Sequence, residues 1–96
     1  MKIEISGKAR ADLTRMYDYL AARNPSAAER LLTDIDRKLV QLSRFPFIGR
    51  DRSDMAANLR SAVVRTVLIF YACSEERVLI IRVIDGRMDV DAEFHQ

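Results

Sequence analysis

Arginine carries most of the positive charge of this chain, and it is the residue type here that is best suited to binding another molecule. Thirteen of the 16 basic residues are Arg, and a guanidinium presents a planar fork of donors to phosphates and carboxylates. Residues 44–65 hold five Arg and two Asp, whereas residues 75–93 hold three Arg and six acidic residues. We therefore expect the 44–65 region to attract an acidic partner, although any single Arg is equally consistent with a solvated surface position.

The other residues that can do chemistry form no complete catalytic or metal-binding set. A Cys–His nucleophile pair would need Cys73 and His95. However, Cys73 lies in an apolar run typical of a small buried side chain, and His95 is the penultimate residue, where chain ends fray. One Cys and one His cannot make a four-ligand zinc site. A solvated acidic tail is favoured over a carboxylate metal site for the series Asp85, Asp89, Asp91 and Glu93. We expect neither a metal nor another cofactor.

Length and composition indicate one small domain with a surface site. A chain of 96 residues has room for one modest core and little room for an enclosed pocket. The single cysteine suits a reducing compartment. The first residues lack the apolar run of a signal peptide, and no apolar stretch approaches the roughly 18 residues of a membrane span. We therefore expect a cytoplasmic protein that does not enter a membrane.

The first half of the chain predicts a short strand and two helices. Ile3 and Ile5 alternate with charged residues, and Ser6 can cap a helix that follows to about residue 23. A second helix, to about residue 44, starts either at a cap formed by Asn24 and Pro25 or at a capping box formed by Ser26 with Glu29. The short connection predicts an antiparallel helical hairpin over about 8–44.

The second half predicts three strands and a polar end. Pro46 and Gly49 end the second helix, and the polar residues 50–58 indicate a loop. Runs rich in Val, Ile, Phe and Tyr predict strands at 59–65, 67–73 and 77–85. We therefore expect a sheet over about 59–85 and a polar C-terminal tail over 86–96, within a single domain spanning 1–96.

The element order β-α-α-β-β-β indicates an α+β fold in which the helical hairpin packs on one face of a small antiparallel sheet. Strict alternation along the last strand then separates its side chains into two sets. We expect the helix-facing set to be Leu79, Ile81, Val83 and Asp85. The opposite set, on the face that the helices leave open, is Val78, Ile80, Arg82 and Ile84.

Five short motifs follow one another along the chain. They are Asn24-Pro25-Ser26-Ala27-Ala28, Pro46-Phe47-Ile48-Gly49-Arg50, Leu59-Arg60-Ser61, Ile69-Phe70-Tyr71, and Arg82-Val83-Ile84-Asp85-Gly86-Arg87-Met88-Asp89. In this order and spacing they resemble the ParE branch of the ParE/RelE toxins of bacterial type II toxin–antitoxin systems. The resemblance runs from Ile3 to Phe94, and the fold that it implies agrees with the one derived above.

The resemblance implies one of two activities. RelE-like members cut messenger RNA on the ribosome without a metal, using basic groups and a proton-transferring side chain. In this chain the residues available for that role are Arg60, Arg82, Arg87 and His95, an incomplete set. ParE-like members instead inhibit DNA gyrase and block replication by binding, and they need no catalytic residue.

The motifs fit the gyrase-binding branch better, with target contacts expected at Arg60, Arg65, Arg82 and Arg87. One departure is Asp85, where many relatives have His before the glycine. This change removes a basic or titratable group and argues against a nuclease. A third possibility is a toxin-derived domain that is not toxic and serves only to bind its partner.

Both branches imply a cognate ParD-like antitoxin, and therefore a hetero-oligomer. Its acidic C-terminal segment would fold on binding, with expected contacts at Tyr19, Arg44, Arg50, Arg52 and Arg60. The groove beside the helical hairpin suits an amphipathic helix. Met16 and Leu20 also border it, but their spacing favours the hairpin core. We expect no sequence-specific binding of nucleic acid.

Overall fold

The computed structural model describes residues Met1–Gln96 and contains three helices and five strands. None of the helices is both long and apolar enough to cross a bilayer. The strands predicted at 67–73 and 77–85 have those bounds, and the predicted loop at 50–58 begins with a two-residue strand. In chain order the elements are β1 (Lys2–Ile5), α1 (Gly7–Ala21), α2 (Pro25–Arg44), β2 (Arg50–Asp51), β3 (Arg60–Val64), β4 (Val67–Cys73), β5 (Arg77–Asp85) and α3 (Val90–Phe94).

The five strands form one sheet in the order β1-β5-β4-β3-β2. Each neighbouring pair is antiparallel except β1 and β5, which run parallel with Ile3 opposite Val78. The helical hairpin packs on one face of this sheet, so the predicted α+β fold is confirmed. The first strand, β1, is therefore an edge strand of the sheet and lies beside the last strand, β5.

Side-chain caps set the start of both long helices. Ser6 Oγ accepts a hydrogen bond from the amide of Ala9 at 3.0 Å, and the side-chain oxygen Oδ1 of Asn24 accepts one from the amide of Ala27 at 3.1 Å. Pro25 occupies the first helical position, where its missing N–H removes no helical hydrogen bond. The Asn24 cap, and not the Ser26–Glu29 box, thus begins α2. Glu29 instead accepts a hydrogen bond from the Tyr17 hydroxyl on α1.

The main core lies between the helices and the sheet. Burying each large apolar side chain here contributes about 1.5–3 kcal/mol. The helices contribute Ala9, Leu31, Ile35 and Leu42 to the main core, and the sheet contributes Ala62, Val64, Val67, Ile69, Tyr71, Val78, Ile80 and Val83.

A β-bulge in β5 makes the predicted faces wrong for residues 78–81, whereas Val83 and Ile84 lie on the faces predicted for them. Phe70 lies opposite Arg82 while Tyr71 lies opposite Ile80, so Ile81 is the extra residue. Val78 and Ile80, expected on the open face, are buried in the main core together with Val83. Of the residues expected to face the helices, Leu79 is exposed and Ile81 packs on the opposite face. The inserted residue reverses the alternation, which period-two reasoning cannot anticipate.

The face opposite the hairpin carries a second, smaller apolar cluster formed by Leu59, Phe70 and Ile84. Helix α3 covers part of it, and the Phe94 ring centre lies 5.2 Å from that of Phe70. The expectation of a polar tail at 86–96 was therefore wrong for residues 90–94. The apolar residues Val90 and Phe94 pack on the cluster, and this packing orders the segment.

Candidate functional site

The side chain of Asp12 replaces a missing strand neighbour at the edge of β5. Strand β1 ends at Ile5, so the part of β5 beyond Ile80 has no partner on that side. The Val83 amide donates to Asp12 Oδ2 at 3.0 Å. Arg82 donates to the same carboxylate from Nε at 2.8 Å and from Nη2 at 3.0 Å. Asp12 therefore binds a backbone amide and a guanidinium at once.

Arg82 joins three elements and is not a free surface cation. Its Nη1 donates to the carbonyls of Glu93 and Phe94 at the end of α3. The side chains of Arg82 and Asp12 are only 7% and 4% exposed. The hydrogen bonds to Asp12 raise the pKa of Arg82 above its usual value. The expectation of an Arg82 on an open face was wrong, because α1 and α3 enclose its guanidinium.

A groove of about 630 Å³ opens between the helical hairpin and the adjoining ends of β4 and β5. Its lining is mainly apolar, and Arg82 lies within it beside Asp12. Met16 and Leu20, expected in the hairpin core, pack partly against the main core and also line the groove. Other apolar lining residues are Ala27, Leu31, Val67, Val83, Ile84 and Met88.

Exposed cations and one aromatic ring border the groove. Tyr19 is 63% exposed, and the Arg23 guanidinium carbon lies 3.7 Å from its ring centre. Arg65 pairs with Asp34 at 2.8 Å, and Arg15 donates to Asp12 at the same distance. More than half of the Arg15 side chain and of the Arg65 side chain remains exposed. Such pairs are weak in water, so an incoming carboxylate can compete for them.

Arg87 completes this border next to Asp85, the position where the sequence departs from many relatives. Its Nη2 donates to Asp85 Oδ2 at 2.6 Å. The hydrogen bonds from Arg87 hold the pKa of the Asp85 carboxyl below its usual value. The acidic residue therefore stays ionised at neutral pH and offsets part of the charge of its neighbour.

A second candidate surface lies where α2 ends. Phe45, Phe47 and Ile48 are all at least half exposed, and we name this set the Phe45–Ile48 patch. The buried Tyr71 hydroxyl holds the segment by donating to the Pro46 carbonyl at 2.8 Å and accepting from the Gly49 amide at 2.9 Å.

Arg60 stabilises the patch from its side. It donates to the Gly49 carbonyl at 2.8 Å and to the Phe47 carbonyl at 3.3 Å. Its guanidinium carbon lies 5.1 Å from the Phe47 ring centre, within cation–π range. Arg44 and Arg50 flank the patch and are exposed.

Arg52 lies apart from both surfaces. It pairs with Asp54 at 3.1 Å, and its side chain is only 18% exposed. Its guanidinium carbon lies 5.6 Å from the ring centre of Phe70, in the second apolar cluster. The expected antitoxin contacts are thus divided: Tyr19 lies at the groove, Arg44, Arg50 and Arg60 at the patch, and Arg52 elsewhere.

The residues of the nuclease alternative are only partly brought together, since Arg82 and Arg87 line the groove whereas Arg60 and His95 do not. Arg60 braces the patch, Arg82 is buried, and Arg87 is bound to Asp85. His95 follows α3, where its Nδ1 lies 2.8 Å from the Asp91 carbonyl oxygen. The expected target contacts divide as well, with Arg65, Arg82 and Arg87 at the groove and Arg60 at the patch.

Over residues 3–90 the chain matches the family described as ParE toxin of type II toxin–antitoxin system, parDE. The chain belongs to this ParE toxin family. It is 36% identical over 83 residues to Toxin ParE3 of Caulobacter vibrioides, covering 85% of this chain and 83% of that protein. The resemblance stated from the five motifs is confirmed.

Solved structures show the same fold. The chromosomal ParDE toxin–antitoxin system of P. aeruginosa includes a chain that superposes with a TM-score of 0.75 at 20% identity, covering 88% of this chain and 95% of that one. The RelBE2 toxin–antitoxin complex of Mycobacterium tuberculosis gives a TM-score of 0.64 at 22% identity, with the same coverage. A chain from each of these two structures thus has the fold of this ParE-family toxin.

Sequence reasoning missed Asp12 and the structural role of Tyr71. A signal for Asp12 was present, because it follows Ala9 by three residues and precedes Met16 by four, which places it on the apolar stripe of α1. An acidic residue in that position indicates a buried partner. No comparable local signal marks Tyr71, whose hydroxyl contacts Pro46 and Gly49 only after folding.

Proposed function

We propose that this ParE-family toxin inhibits DNA gyrase in the cytoplasm, blocks replication, and is neutralised by a ParD-like antitoxin bound in the groove. Membership of the ParE family is the observation that carries the proposal. A gyrase inhibitor of this kind acts by binding, so it needs an interaction surface and no catalytic centre.

The groove supports the antitoxin part of the proposal. An α-helix is about 10–12 Å wide with its side chains, and amphipathic helices bind in apolar grooves of this kind through side chains on one face. The floor offers Met16, Leu20 and Leu31 to such a face. The exposed Arg15, Arg65 and Arg87 lie at the border, where they suit carboxylates on the polar side of the helix. The expected ligand is therefore an acidic amphipathic helix.

Under this proposal Arg65 and Arg87, expected from the sequence to contact the target, contact the antitoxin instead. Both line the groove together with Tyr19, which the sequence had indicated as an antitoxin contact. Arg82 takes no part as a free cation, because its guanidinium is already bound by Asp12 and by the end of α3.

The placement of the basic residues favours gyrase inhibition over RNA cleavage. Cleavage needs several groups placed within hydrogen-bond reach of a single phosphate and its 2′-hydroxyl. Arg60, Arg82 and Arg87 are instead engaged with carbonyls, with Asp12 and with Asp85. A binding function does not require these side chains to converge.

A supercoiling assay with purified gyrase tests the proposal directly. We expect the folded toxin alone to stop supercoiling and to accumulate cleaved DNA, and the antitoxin encoded beside it to reverse both effects. The double variant Arg65→Glu with Arg87→Glu should still inhibit gyrase but need at least about tenfold more antitoxin, because two border charges are reversed. Arg10→Glu is the control, since Arg10 is exposed on α1 outside the groove.

Normal supercoiling at a large excess of folded toxin would refute gyrase inhibition. Cleaved messenger RNA in growing cells, lost in a His95→Ala variant, would instead support the RelE-like activity. If the antitoxin neutralises the double variant as well as the wild type, the groove is not its binding site, and the assignment of gyrase as the target is unaffected.

A further inference from the structure

We infer that the Phe45–Ile48 patch, flanked by Arg44 and Arg50, is the surface with which this toxin docks on its target enzyme. The inference rests on the proposed function and adds to it the place of contact. The complementary surface is an apolar hollow bordered by Asp and Glu side chains. Four observations carry the argument: exposure, rigidity, charge, and separation from the groove.

Exposure is concentrated in this segment. Phe45, Phe47 and Ile48 are 59%, 69% and 50% exposed. Val40, one helical turn before Arg44 on α2, is also exposed, at 54%. Single exposed apolar side chains are ordinary, whereas a contiguous group marks an interaction surface.

The segment is held rigidly although its side chains are exposed. The Tyr71 hydroxyl bonds on both sides of Phe47, to the Pro46 carbonyl and to the Gly49 amide. A Cβ on Gly49 would lie 2.3 Å from that hydroxyl oxygen, so the packing there leaves no free space. A backbone fixed before binding loses little entropy on docking, which favours strong contacts from few residues.

The charges select the kind of partner. Arg44 and Arg50 are exposed and take part in none of the ion pairs of the structure, and Arg60 adds a guanidinium against Phe47. Of the nearby acids, Asp51 accepts a hydrogen bond from the Ser53 amide at 2.7 Å, and Asp54 pairs with Arg52 at 3.1 Å. Two copies of so basic a patch would repel each other. A protein surface with carboxylates around an apolar centre satisfies both the rings and the arginines.

The patch and the groove lie toward opposite ends of α2. Leu31 lines the groove and Arg44 flanks the patch, so the helical rise separates them by about 20 Å. An antitoxin helix in the groove and a target on the patch therefore use different side chains. Neutralisation then depends on the rest of the antitoxin obstructing the approach of the target.

Two sets of variants test the inference in the same assays. Phe47→Ala with Ile48→Ala removes the apolar anchors, and Arg44→Glu with Arg50→Glu reverses the flanking charges while leaving the fold intact. For each we expect at least about a tenfold loss in gyrase binding and in inhibition, as for central interface residues. Antitoxin affinity should stay within about threefold of the wild type, because additivity holds for distant sites.

Matched substitutions elsewhere serve as controls. Val63→Ala removes an exposed apolar side chain on β3, and Arg30→Glu reverses an exposed charge on α2. Neither residue belongs to the patch or lines the groove, so both variants should inhibit gyrase like the wild type.

The outcomes separate the inference from the proposed function. If the wild type inhibits gyrase and both patch variants do so equally well, the docking surface is wrong while gyrase inhibition stands. If the variants lose antitoxin binding but keep gyrase binding, the patch is an antitoxin contact, which also overturns the inference. Loss of binding to DNA alone would reassign the patch to nucleic acid. A wild type that does not inhibit gyrase removes the proposed function and this inference together.

Discussion

Replacing Asp12 by Ala should destabilise the fold more than the loss of any exposed ion pair. The substitution leaves the Arg82 guanidinium and the Val83 amide buried without the carboxylate that binds both. Removing one partner of a buried ion pair costs about 3–5 kcal/mol in total. The roughly 1–3 kcal/mol for leaving a buried polar group without a hydrogen bond is part of that cost. A domain of 96 residues has a total stability of about 5–14 kcal/mol, so the variant approaches the limit of folding.

Urea and thermal unfolding, followed by far-ultraviolet circular dichroism, measure the effect. At about 4–8 °C per kcal/mol for a domain of this size, a loss of 3 kcal/mol lowers Tm by at least about 12 °C. Arg15→Ala is the matched control, because Arg15 donates to the same carboxylate from a side chain that is 69% exposed. Its loss should cost under about 1 kcal/mol.

A second variant tests the stated cause. Asp12→Leu combined with Arg82→Met removes both charges, and it should be more stable than Asp12→Ala because no uncompensated buried charge remains. A cost below about 1 kcal/mol for Asp12→Ala, or a double variant less stable than the single one, would contradict the stabilising role of the buried Asp12–Arg82 pair.

Three further predictions concern the segments that hold the two surfaces. Gly49→Ala should destabilise by about 1–3 kcal/mol in urea unfolding, because its Cβ would lie 2.3 Å from the Tyr71 hydroxyl oxygen. Asn24→Ala should cost about 1 kcal/mol by removing the cap of α2, also measured by urea unfolding. Arg87→Ala should be less stable than the wild type at neutral pH, and the gap should close as pH falls. Arg87 lowers the folded-state pKa of Asp85, so this stability is present above the unfolded pKa of about 4 and lost as pH falls through the folded value. A gap that is constant across an acid series of urea titrations would contradict this.

Much of the fold follows from local sequence signals. The caps at Ser6 and Asn24, the proline at the start of α2 and the β-rich runs each act within a few residues, so their positions could be predicted. The two helices and the strands β4 and β5 lie close to or at their expected bounds because these local preferences agree with the packing.

The missed features depend on contacts between distant parts of the chain. The bulge at Ile81 reverses the predicted faces of the part of β5 that precedes it, and nothing in the alternation of that strand marks the extra residue. The burial of Arg82 depends on Asp12, 70 residues away. Its burial could not be predicted from β5 alone, because it also depends on the early end of β1 and on the contact with α3.

The same division applies to the candidate surfaces. Tyr19 was correctly separated from the apolar stripe of α1 and is exposed at the groove. The arginines were grouped by their proximity in sequence, but the Arg52 guanidinium lies over Phe70 of the second cluster and that of Arg60 over Phe47 of the patch. Charge density along the chain thus indicated a basic region without showing that it divides between surfaces.

The pairing of β1 with β5 has a consequence for synthesis. Ser6 donates to the carbonyl of Ile81, 75 residues further along the chain, and Ile3 lies opposite Val78. A nascent chain still held by the ribosome at residue 80 has its first strand without a partner and the start of α1 without its anchor. Long-range pairing of this kind also slows folding. Each newly made chain therefore completes its sheet, and with it the groove beside the helical hairpin, only after its last strand has left the ribosome.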